Sequence, residues 1–189
     1  MKRGLRTVLI IWCFLLTIPC TGYSYNDIPK SKQTDSGLYI NAQEAFAEWH
    51  TSPGKVHILD VRTPEEYIFV GHAPMARNIP VRLVNQHMTG ERKRLVLELN
   101  TNFASEVKKY YQQDDKILVM CRSGGRSALA VNLLKKAGFK YAYNIIDGFE
   151  GDAIQDAESY YYGKRVKNGW KNSGAPWTYE LDPQLMYSP

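Results

Sequence analysis

Short apolar segments alternate with longer amphipathic segments along most of this 189-residue chain. The short segments are typical of buried strands, because they end at polar or turn-forming residues. They lie at residues 38–40, 56–59, 76–79, 116–120 and 142–146. Strands that alternate with helices predict βαβ units, and therefore an α/β fold with a mainly parallel sheet that helices cover on both faces.

Two of the predicted helices begin with capping signals. Asn41 precedes an amphipathic segment and has Glu44 three residues later, which is the pattern of a capping box. Thr63 is followed by Pro64 and then by two acids, which together favour a helix start. This second helix is expected to end at Gly71.

Two further helices are predicted from the spacing of apolar residues. The first runs from Phe103 to Tyr111, with Phe103, Val107 and Tyr110 on one face. The second helix runs over residues 127–137, and Gly138 provides its stop.

The first 22 residues have the composition of a secretory signal peptide. Basic residues start the chain, an apolar stretch follows at 8–18, and small residues come next. The apolar stretch is shorter than the ~20 residues that a membrane-spanning helix needs. We predict cleavage after Gly22, with cleavage after Ser24 as an alternative. An uncleaved anchor and a lipid-modified Cys20 are further alternatives.

Cleavage would change both the charge and the cysteine content of the chain. It removes three of the 24 basic residues, which leaves 21 against 19 acidic ones and lowers the net charge from +5 to about +2. The composition therefore does not favour nucleic-acid binding. Of three cysteines only Cys121 remains, without a partner for an intramolecular disulfide. We expect a periplasmic or secreted protein without a stable membrane span, beginning with a polar linker at 23–37.

Cys121 lies directly after the predicted strand 116–120 and shortly before the predicted helix 127–137. Unpaired backbone N–H groups and the helix dipole favour negative charge at such a position. The polar neighbours of Cys121 argue against an inert thiol in an apolar core. The sequence therefore predicts a thiolate nucleophile at this residue.

The residues that follow Cys121 are typical of an anion-binding loop. Gly124 and Gly125 allow backbone conformations closed to other residues, so that consecutive N–H groups can form a nest. Arg122 and Arg126 would attract anionic donors. The predicted substrate-binding residues are Arg122, Ser123, Gly124, Gly125, Arg126 and Ser127.

The other polar residues that stand out fit structural roles better. Asp60 and Arg62 follow the strand 56–59 and would support the cysteine loop at the same edge of the sheet, with direct participation as the alternative. The four histidines have no metal-ligand spacing, so we predict no metal site and no cofactor. His72 is expected in a turn, and the aromatic run at 160–162 is expected to pack over the domain edge.

Three ordered motifs resemble those of the rhodanese family. The residues Asp-Val-Arg-Thr-Pro-Glu-Glu-Tyr at 60–67, with 71–76 and 78–80, resemble its N-terminal signature, and 121–127 resemble its active-site loop. Its closing motif is matched by Trp170, Gly174 and Pro176. The resemblance implies a rhodanese-like, five-stranded, mainly parallel α/β sheet. It also implies sulfur transfer, in which the cysteine thiolate takes sulfane sulfur from a donor, becomes a persulfide and passes the outer sulfur to a nucleophile.

Cysteine phosphatases and arsenate reductases have a related loop and form the rival enzyme class. Their loop is one residue longer than the four residues that separate Cys121 from Arg126. Phosphatases also usually have a histidine before the cysteine, where this chain has Met120. The smaller loop suits a persulfide better than a tetrahedral oxyanion.

Two departures from the family pattern affect the expected donor and partner. Members that use thiosulfate have cationic side chains where this chain has Glu66 and Ser123, which argues against thiosulfate as the physiological donor. Residues 152–168 form an insertion that is rich in tyrosine and charge. We expect it to dock a partner; a lid over the site and a part of the core are the alternatives.

Together these features predict an exported single-domain sulfurtransferase, with its domain at 38–178 and a tail at 179–189. Its substrates would be a small sulfur donor, either thiosulfate or a persulfide, and a thiol or cyanide acceptor. A protein acceptor is an alternative. The rival outside the enzymes is a persulfide carrier that docks a partner and turns over small molecules slowly.

Overall fold

The computed structural model describes residues 28–84 and 96–188 of the chain. The strands in this part are β1 (Tyr39–Ile40), β2 (Val56–Asp60), β3 (Arg77–Asn78), β4 (Arg82–Val84), β5 (Leu97–Leu99), β6 (Lys116–Met120) and β7 (Tyr141–Ile145). The α-helices are α1 (Ala42–Thr51), α2 (Pro64–Val70), α3 (Phe103–Val107) and α4 (Gly125–Lys136). The predicted signal peptide at 1–22 lies outside the described residues.

Five strands form a parallel sheet in the order β1-β7-β6-β2-β3. The predicted α/β fold with a five-stranded, mainly parallel sheet is therefore confirmed. β4 and β5 pair antiparallel in a separate two-stranded sheet. In the main sheet Asp60 is in register with Met120, so the carboxyl ends of β2 and β6 meet at one edge. Cys121 follows β6 directly, and Arg62 lies two residues beyond the end of β2.

The alternation of side chains along β6 divides the apolar core into two parts. Ile117 and Val119 belong to the cluster that includes α3 and α4. Leu118 and Met120 belong to the opposite cluster, which includes α1 and the indole of Trp170. Since a strand's side chains alternate between its faces, both faces of the sheet are covered, as a buried parallel sheet requires.

Both predicted helix starts are present, and each is formed by a capping box. Asn41 Oδ1 accepts the backbone N–H of Glu44 at 2.8 Å, which starts α1. Thr63 Oγ1 accepts the N–H of Glu66 at 3.3 Å, and a carboxylate oxygen of Glu66 accepts the N–H of Thr63 at 3.1 Å. α2 ends at Gly71, whose φ of 90° lies in the region that favours glycine. The caps hold the Glu66 carboxylate in place at the first turn of α2.

The predicted apolar face of the helix beginning at Phe103 is wrong at its last position. α3 ends at Val107, and the chain continues in a turn. The turn leaves Tyr110 54% exposed and buries Tyr111, which is 8% exposed. Tyr110 lies against the guanidinium of Arg77, with the guanidinium carbon 3.8 Å from the ring centre. The helical spacing fails here because the helix stops one turn early.

The segments before and after the core elements are packed against it. Ile28, within the predicted linker, is buried, and a 3₁₀ turn at Lys30–Lys32 contacts α4. In the predicted tail, the carbonyl of Leu185 accepts the N–H of Asn78, so the tail covers the edge strand β3. In the described part of the chain, none of the helices combines the length and the apolar character that crossing a membrane requires.

Candidate functional site

Cys121 lies at the junction between β6 and α4, and its side chain is buried. Its sulfur accepts the backbone N–H of Gly124 at 3.2 Å. The hydroxyl oxygen of Ser127 lies 3.4 Å from the same sulfur. Gly124 is the N-cap of the 12-residue helix α4 and Ser127 lies in its first turn, so both donors are placed where a negative charge on sulfur would be stabilised.

The backbone of the cysteine loop is held by the residues that follow β7. The carbonyl of Cys121 accepts the N–H of Phe149 at 2.7 Å, and the carbonyl of Arg122 accepts the N–H of Glu150 at 2.9 Å. Gly148 allows this close approach, because a Cβ at its position would lie 2.4 Å from the Cys121 carbonyl oxygen. The loop is therefore bonded to a second segment of the chain and is not a free turn.

The two glycines of the predicted nest have different roles. Gly124 has a φ of 97°, and a Cβ there would lie 2.1 Å from the carbonyl oxygen of Ile146. Gly125 is the first residue of α4, and a Cβ there would meet its nearest atom, the Ser31 carbonyl oxygen, at 3.5 Å. Only the first of these positions is strictly limited to glycine, and it is also the one whose N–H contacts the sulfur.

Asn144 is a residue of the site that the sequence reasoning missed. It is fully buried in β7, and its Oδ1 accepts the hydroxyl proton of Ser127 at 2.6 Å. Its Nδ2 donates to the carbonyl of Gly124 at 3.1 Å and to that of Lys32 at 2.9 Å. Asn144 thus orients Ser127 beside Cys121. A polar residue within the apolar strand segment 142–146 was the available signal.

Arg126 does not present a free guanidinium to the site. Its Nη2 donates to Glu66 Oε1 at 2.6 Å, and its Nη1 donates to Oε2 of the same carboxylate at 2.5 Å. Burial raises the pKa of Glu66, but the hydrogen bond and charge of Arg126 outweigh it, so the pKa of that carboxyl is lowered. Both groups are therefore held charged, and the positive charge that we predicted for anion binding is offset by Glu66.

Arg122 and Ser123 lie at the outer side of the loop. Arg122 is exposed, and within residues 28–84 and 96–188 its guanidinium takes part in no ion pair. Ser123 is half-buried next to it. Of the two predicted arginines, Arg122 is the one whose charge a donor in solution would meet.

Asp60 and Arg62 form a fully buried ion pair next to the loop. Arg62 Nη2 donates to Asp60 Oδ2 at 2.6 Å and to the carbonyl of Gly71 at 2.8 Å. The guanidinium carbon lies 4.1 Å from the ring centre of Phe149, whose backbone binds Cys121. The pair connects β2, the end of α2 and the segment behind the loop; its role as support for the loop stays a prediction.

The histidines and acids of the described residues do not form a metal-binding cluster of three or more groups. His72 is buried, and its ring stacks on Tyr67 with the ring centres 3.8 Å apart. Its two ring nitrogens lie 3.1 Å from the carbonyl oxygens of Tyr67 and Glu180. His72 therefore has a structural role in the turn after α2.

The insertion at 152–168 has an irregular backbone whose two ends meet. A Cβ at Gly151 would lie 2.0 Å from the carbonyl oxygen of Asn168, and the N–H of Asp152 donates to Asn168 Oδ1 at 2.8 Å. Asp152 also forms an ion pair of 2.6 Å with Lys32. The tyrosines at 160–162 are exposed, with Tyr160 at 92%, so the predicted packing over the domain edge is wrong.

Comparison with known proteins agrees with the fold. The family model for the rhodanese-like domain matches residues 43–154. Thiosulfate sulfurtransferase 16, chloroplastic, of Arabidopsis thaliana is 41% identical over 91 residues, which cover 48% of this chain and 68% of that protein. The putative sulfur carrier protein YrkF of Bacillus subtilis (strain 168) is 35% identical over 118 residues, which cover 62% of this chain and 52% of that protein.

Among solved structures, the crystal structure of Rv0390 from M. tuberculosis is similar to this chain with a TM-score of 0.59 and 28% sequence identity. The match covers 75% of this chain and 96% of that one. Sulfur transfer is thus supported at the level of the family. By fold, by loop and by the extent of the family match, the chain belongs to the rhodanese-like domain family.

Proposed function

We propose that this protein is a sulfurtransferase that carries sulfane sulfur as a persulfide on Cys121. The observation that carries the proposal is the environment of the sulfur, which accepts the Gly124 N–H and lies beside the Ser127 hydroxyl. Hydrogen bonds to a charged group are among the stronger ones in proteins. The Gly124 N–H would stabilise the thiolate, whose negative charge lies on Sγ, whereas in the persulfide the charge lies on the added outer sulfur.

The first step is attack of the Cys121 thiolate on the sulfane sulfur of the donor. A bond forms between the two sulfurs, the donor's bond to that sulfur breaks, and the leaving group departs with the electron pair. With thiosulfate the leaving group is sulfite; with an organic persulfide it is a thiolate. The Gly124 N–H would stabilise the sulfur anion in this step. The Ser127 hydroxyl has one proton, which it donates to Asn144 Oδ1 at 2.6 Å, and it could donate to the sulfur 3.4 Å away only by rotating out of that bond.

The second step returns the enzyme to its starting form. A nucleophilic acceptor such as cyanide or a thiolate attacks the outer sulfur of the persulfide, and the bond between the two sulfurs breaks. The product is thiocyanate or a new persulfide, and the Cys121 thiolate is regenerated. In both steps the number of charges is conserved, and no oxidant or reductant is needed.

A persulfide carrier is the second candidate. It is supported by the similarity to a protein named as a putative sulfur carrier and by the exposed aromatic residues of the insertion 152–168. A carrier would form the same persulfide and deliver it to a partner protein.

A phosphatase activity is less well supported, because the Arg126 guanidinium that would hold an oxyanion is paired with Glu66.

The site of action is part of the same proposal. The signal-like segment at 1–22 supports export, so the protein would act in the periplasm or outside the cell. Fractionation of the native host, with the N-terminus of the isolated protein sequenced, tests this step. An N-terminus at Met1 in the cytoplasmic fraction would contradict it.

The test of the proposed chemistry is a comparison of the wild type with Cys121→Ser. Wild-type protein incubated with thiosulfate or an organic persulfide should gain the mass of one sulfur atom on the peptide that contains Cys121. It should then release thiocyanate on addition of cyanide. The variant should do neither while unfolding at the same urea concentration. Sulfur transfer by the variant would refute the assignment.

A further inference from the structure

The insertion 152–168 has its acids and its cations in separate halves. Three acids come first, at Asp152, Asp156 and Glu158, and three cations follow, at Lys164, Arg165 and Lys167. We propose that the second half forms part of a docking groove for a short acidic segment of a protein partner. This inference concerns binding alone, so it goes beyond the proposed sulfur chemistry and needs no reaction at Cys121.

The groove lies between the insertion and the neighbouring segments of the domain. It has a volume of about 470 Å³. Residues 163–166 of the insertion form part of its lining, and Val70, Glu150 and Lys171 form part of the rest. The lining contains three cations and one acid, which gives a net charge of +2. We call it the cationic groove.

The charges of the three cations in the cationic groove are not compensated by acids. Among the described residues, no carboxylate forms an ion pair with any of them. Lys171 donates to the carbonyl of Val70 at 2.9 Å, and its ammonium nitrogen lies 4.0 Å from the ring centre of Trp177. Arg165 donates to the carbonyl of Gly151. These neutral partners hold the side chains in place and leave their charge for an acidic ligand.

Exposed aromatic side chains lie beside these cations. Trp177 and Tyr179 are both exposed, and the ammonium of Lys171 lies 5.6 Å from the ring centre of Tyr179. In the insertion, Tyr161 and Tyr162 are exposed directly before the cations. Aromatic residues are enriched where proteins bind one another. Rings next to uncompensated cations suit a protein segment that has both carboxylates and apolar side chains.

The cationic groove favours a chain segment over a small molecule or a nucleic acid. Small-molecule sites enclose most of the ligand surface, whereas Lys164 and Val166 of this lining are exposed. A nucleic acid needs a longer track of cations for its phosphates, and the exposed Asp156 and Glu158 in the same insertion would repel it. A short segment with about two carboxylates would balance the net charge of the groove.

The cationic groove adjoins the outer side of the cysteine loop. Glu150, which lines the groove, donates its N–H to the carbonyl of Arg122 at 2.9 Å. The N–H of Gly151 donates to the same carbonyl at 3.3 Å. The exposed Arg122 therefore adds a further positive charge near the groove. A partner bound there would be held close to Cys121, where a protein that gives or takes sulfur must come.

Peptide binding to the full chain, followed by fluorescence anisotropy, tests this inference. The probe is a short peptide of glutamate, glycine and tryptophan that has a neutral dye. The reference peptide has glutamine in place of each glutamate, and an oligothymidylate with the same dye represents nucleic acid. The variant is Lys164→Glu in the cationic groove. Its matched control is Lys167→Glu, the same change at an exposed lysine that lines a different cavity.

The acidic peptide should bind more tightly than its glutamine counterpart, and added salt should weaken its binding. An exposed ion pair is worth up to about fivefold in an equilibrium constant. Lys164→Glu removes one attraction and adds a repulsion, so it should raise the Kd about tenfold. Lys171→Gln should raise it about threefold from the other part of the lining. Lys167→Glu should change it less than about twofold, because screening weakens more distant charges.

Equal weakening by Lys164→Glu and Lys167→Glu would overturn the assignment to the cationic groove. Equal affinity for the two peptides would overturn the acidic partner, and tighter binding of the oligothymidylate would assign the surface to nucleic acid. Urea unfolding of each variant checks that the lost affinity is not lost folding. Cys121→Ser should bind the acidic peptide as the wild type does, so failure of the sulfur chemistry and failure of docking are separate results.

Discussion

Alanine substitutions at the two adjacent glycines of the loop should have very different effects. Gly124 has a φ of 97°, and its Cβ would lie 2.1 Å from the Ile146 carbonyl oxygen and 2.8 Å from the carbonyl carbon. Gly125 lies in the first turn of α4 with ordinary helical space around it. Gly125→Ala is therefore a matched control for Gly124→Ala, since both add one methyl group to neighbouring residues.

The loss of stability in Gly124→Ala has two sources. A left-handed backbone conformation costs a residue with a Cβ about 1–2 kcal/mol relative to glycine. Displacement of the backbone at Ile146 to relieve the overlap costs about 1–3 kcal/mol more, as other cases of overpacking do. We therefore expect the free energy of unfolding to fall by about 2–5 kcal/mol. Gly125→Ala should leave it unchanged or raise it by up to about 1 kcal/mol, because alanine favours the helix.

The loss of activity has a separate cause. Gly124 donates its N–H to the Cys121 sulfur at 3.2 Å, and displacement of the loop would lengthen this contact. A hydrogen bond to a charged group contributes about 1.5–3 kcal/mol, which corresponds to a rate reduced roughly tenfold to a hundredfold. Gly125→Ala should cause a clearly smaller loss.

Two measurements separate the effects. Urea unfolding followed by tryptophan fluorescence gives the change in stability. Single-turnover release of sulfite from thiosulfate, below the urea concentration at which either variant unfolds, gives the rate of persulfide formation. Equal losses at the two glycines would show that the loop is not held against Ile146. A fully active and stable Gly124→Ala would refute the description of the loop.

Three further predictions follow from the surroundings of the site. Arg62→Met should lower the free energy of unfolding by about 3–5 kcal/mol, because it leaves the buried carboxylate of Asp60 without its partner. The activity of the folded fraction, measured at low temperature, should change much less. A loss of activity without a loss of stability would assign Arg62 a direct role in the chemistry. The two ends of 152–168 adjoin, so replacement of this segment by a short Gly/Ser bridge should preserve both folding and the turnover of small donors. Thermal unfolding and thiocyanate release measure these two properties. A large change in turnover would favour a lid, and loss of folding would place the segment in the core. Because the pKa of Glu66 is lowered in the folded state, its carboxylate should stabilise the protein above the unfolded-state pKa of about 4.3, and this contribution should be lost as pH falls through the folded-state value. In urea unfolding from pH 6 to pH 3, the difference in free energy of unfolding between wild type and Glu66→Gln should therefore shrink below about pH 4. A difference that stays constant with pH would contradict this.

Sequence reasoning worked best where a signal and its structural effect lie close together in the chain. The capping boxes at Asn41 and Thr63 link residues three apart, so the helix starts could be predicted from local spacing alone. The junction of β6 with α4 likewise placed Cys121 near a helix start. The face of α3 failed at Tyr110, because the helix ends before that residue and periodicity carries no information about the turn beyond it.

The contacts that make the loop a site are long-range, and the sequence did not reveal them. Glu66 and Arg126 are 60 residues apart, and within its own helix Glu66 is simply an acid that suits a first turn. Asn144 reaches Ser127 and Gly124 only because β7 lies next to β6 in the sheet. The two loop glycines, Gly124 and Gly125, also cannot be told apart in the sequence. They differ because folding places the Ile146 carbonyl against Gly124 and not against Gly125.

The sequence by itself determined the class of fold, the order of the main elements and the candidate nucleophile. Periodicity, capping and a cysteine at a strand–helix junction are local properties of the chain. Only the tertiary structure decided which charges of the loop remain available and which backbone N–H contacts the sulfur. These depend on the pairing of groups distant along the chain. The energy of a charge or a hydrogen bond is set by the partner that folding brings to it.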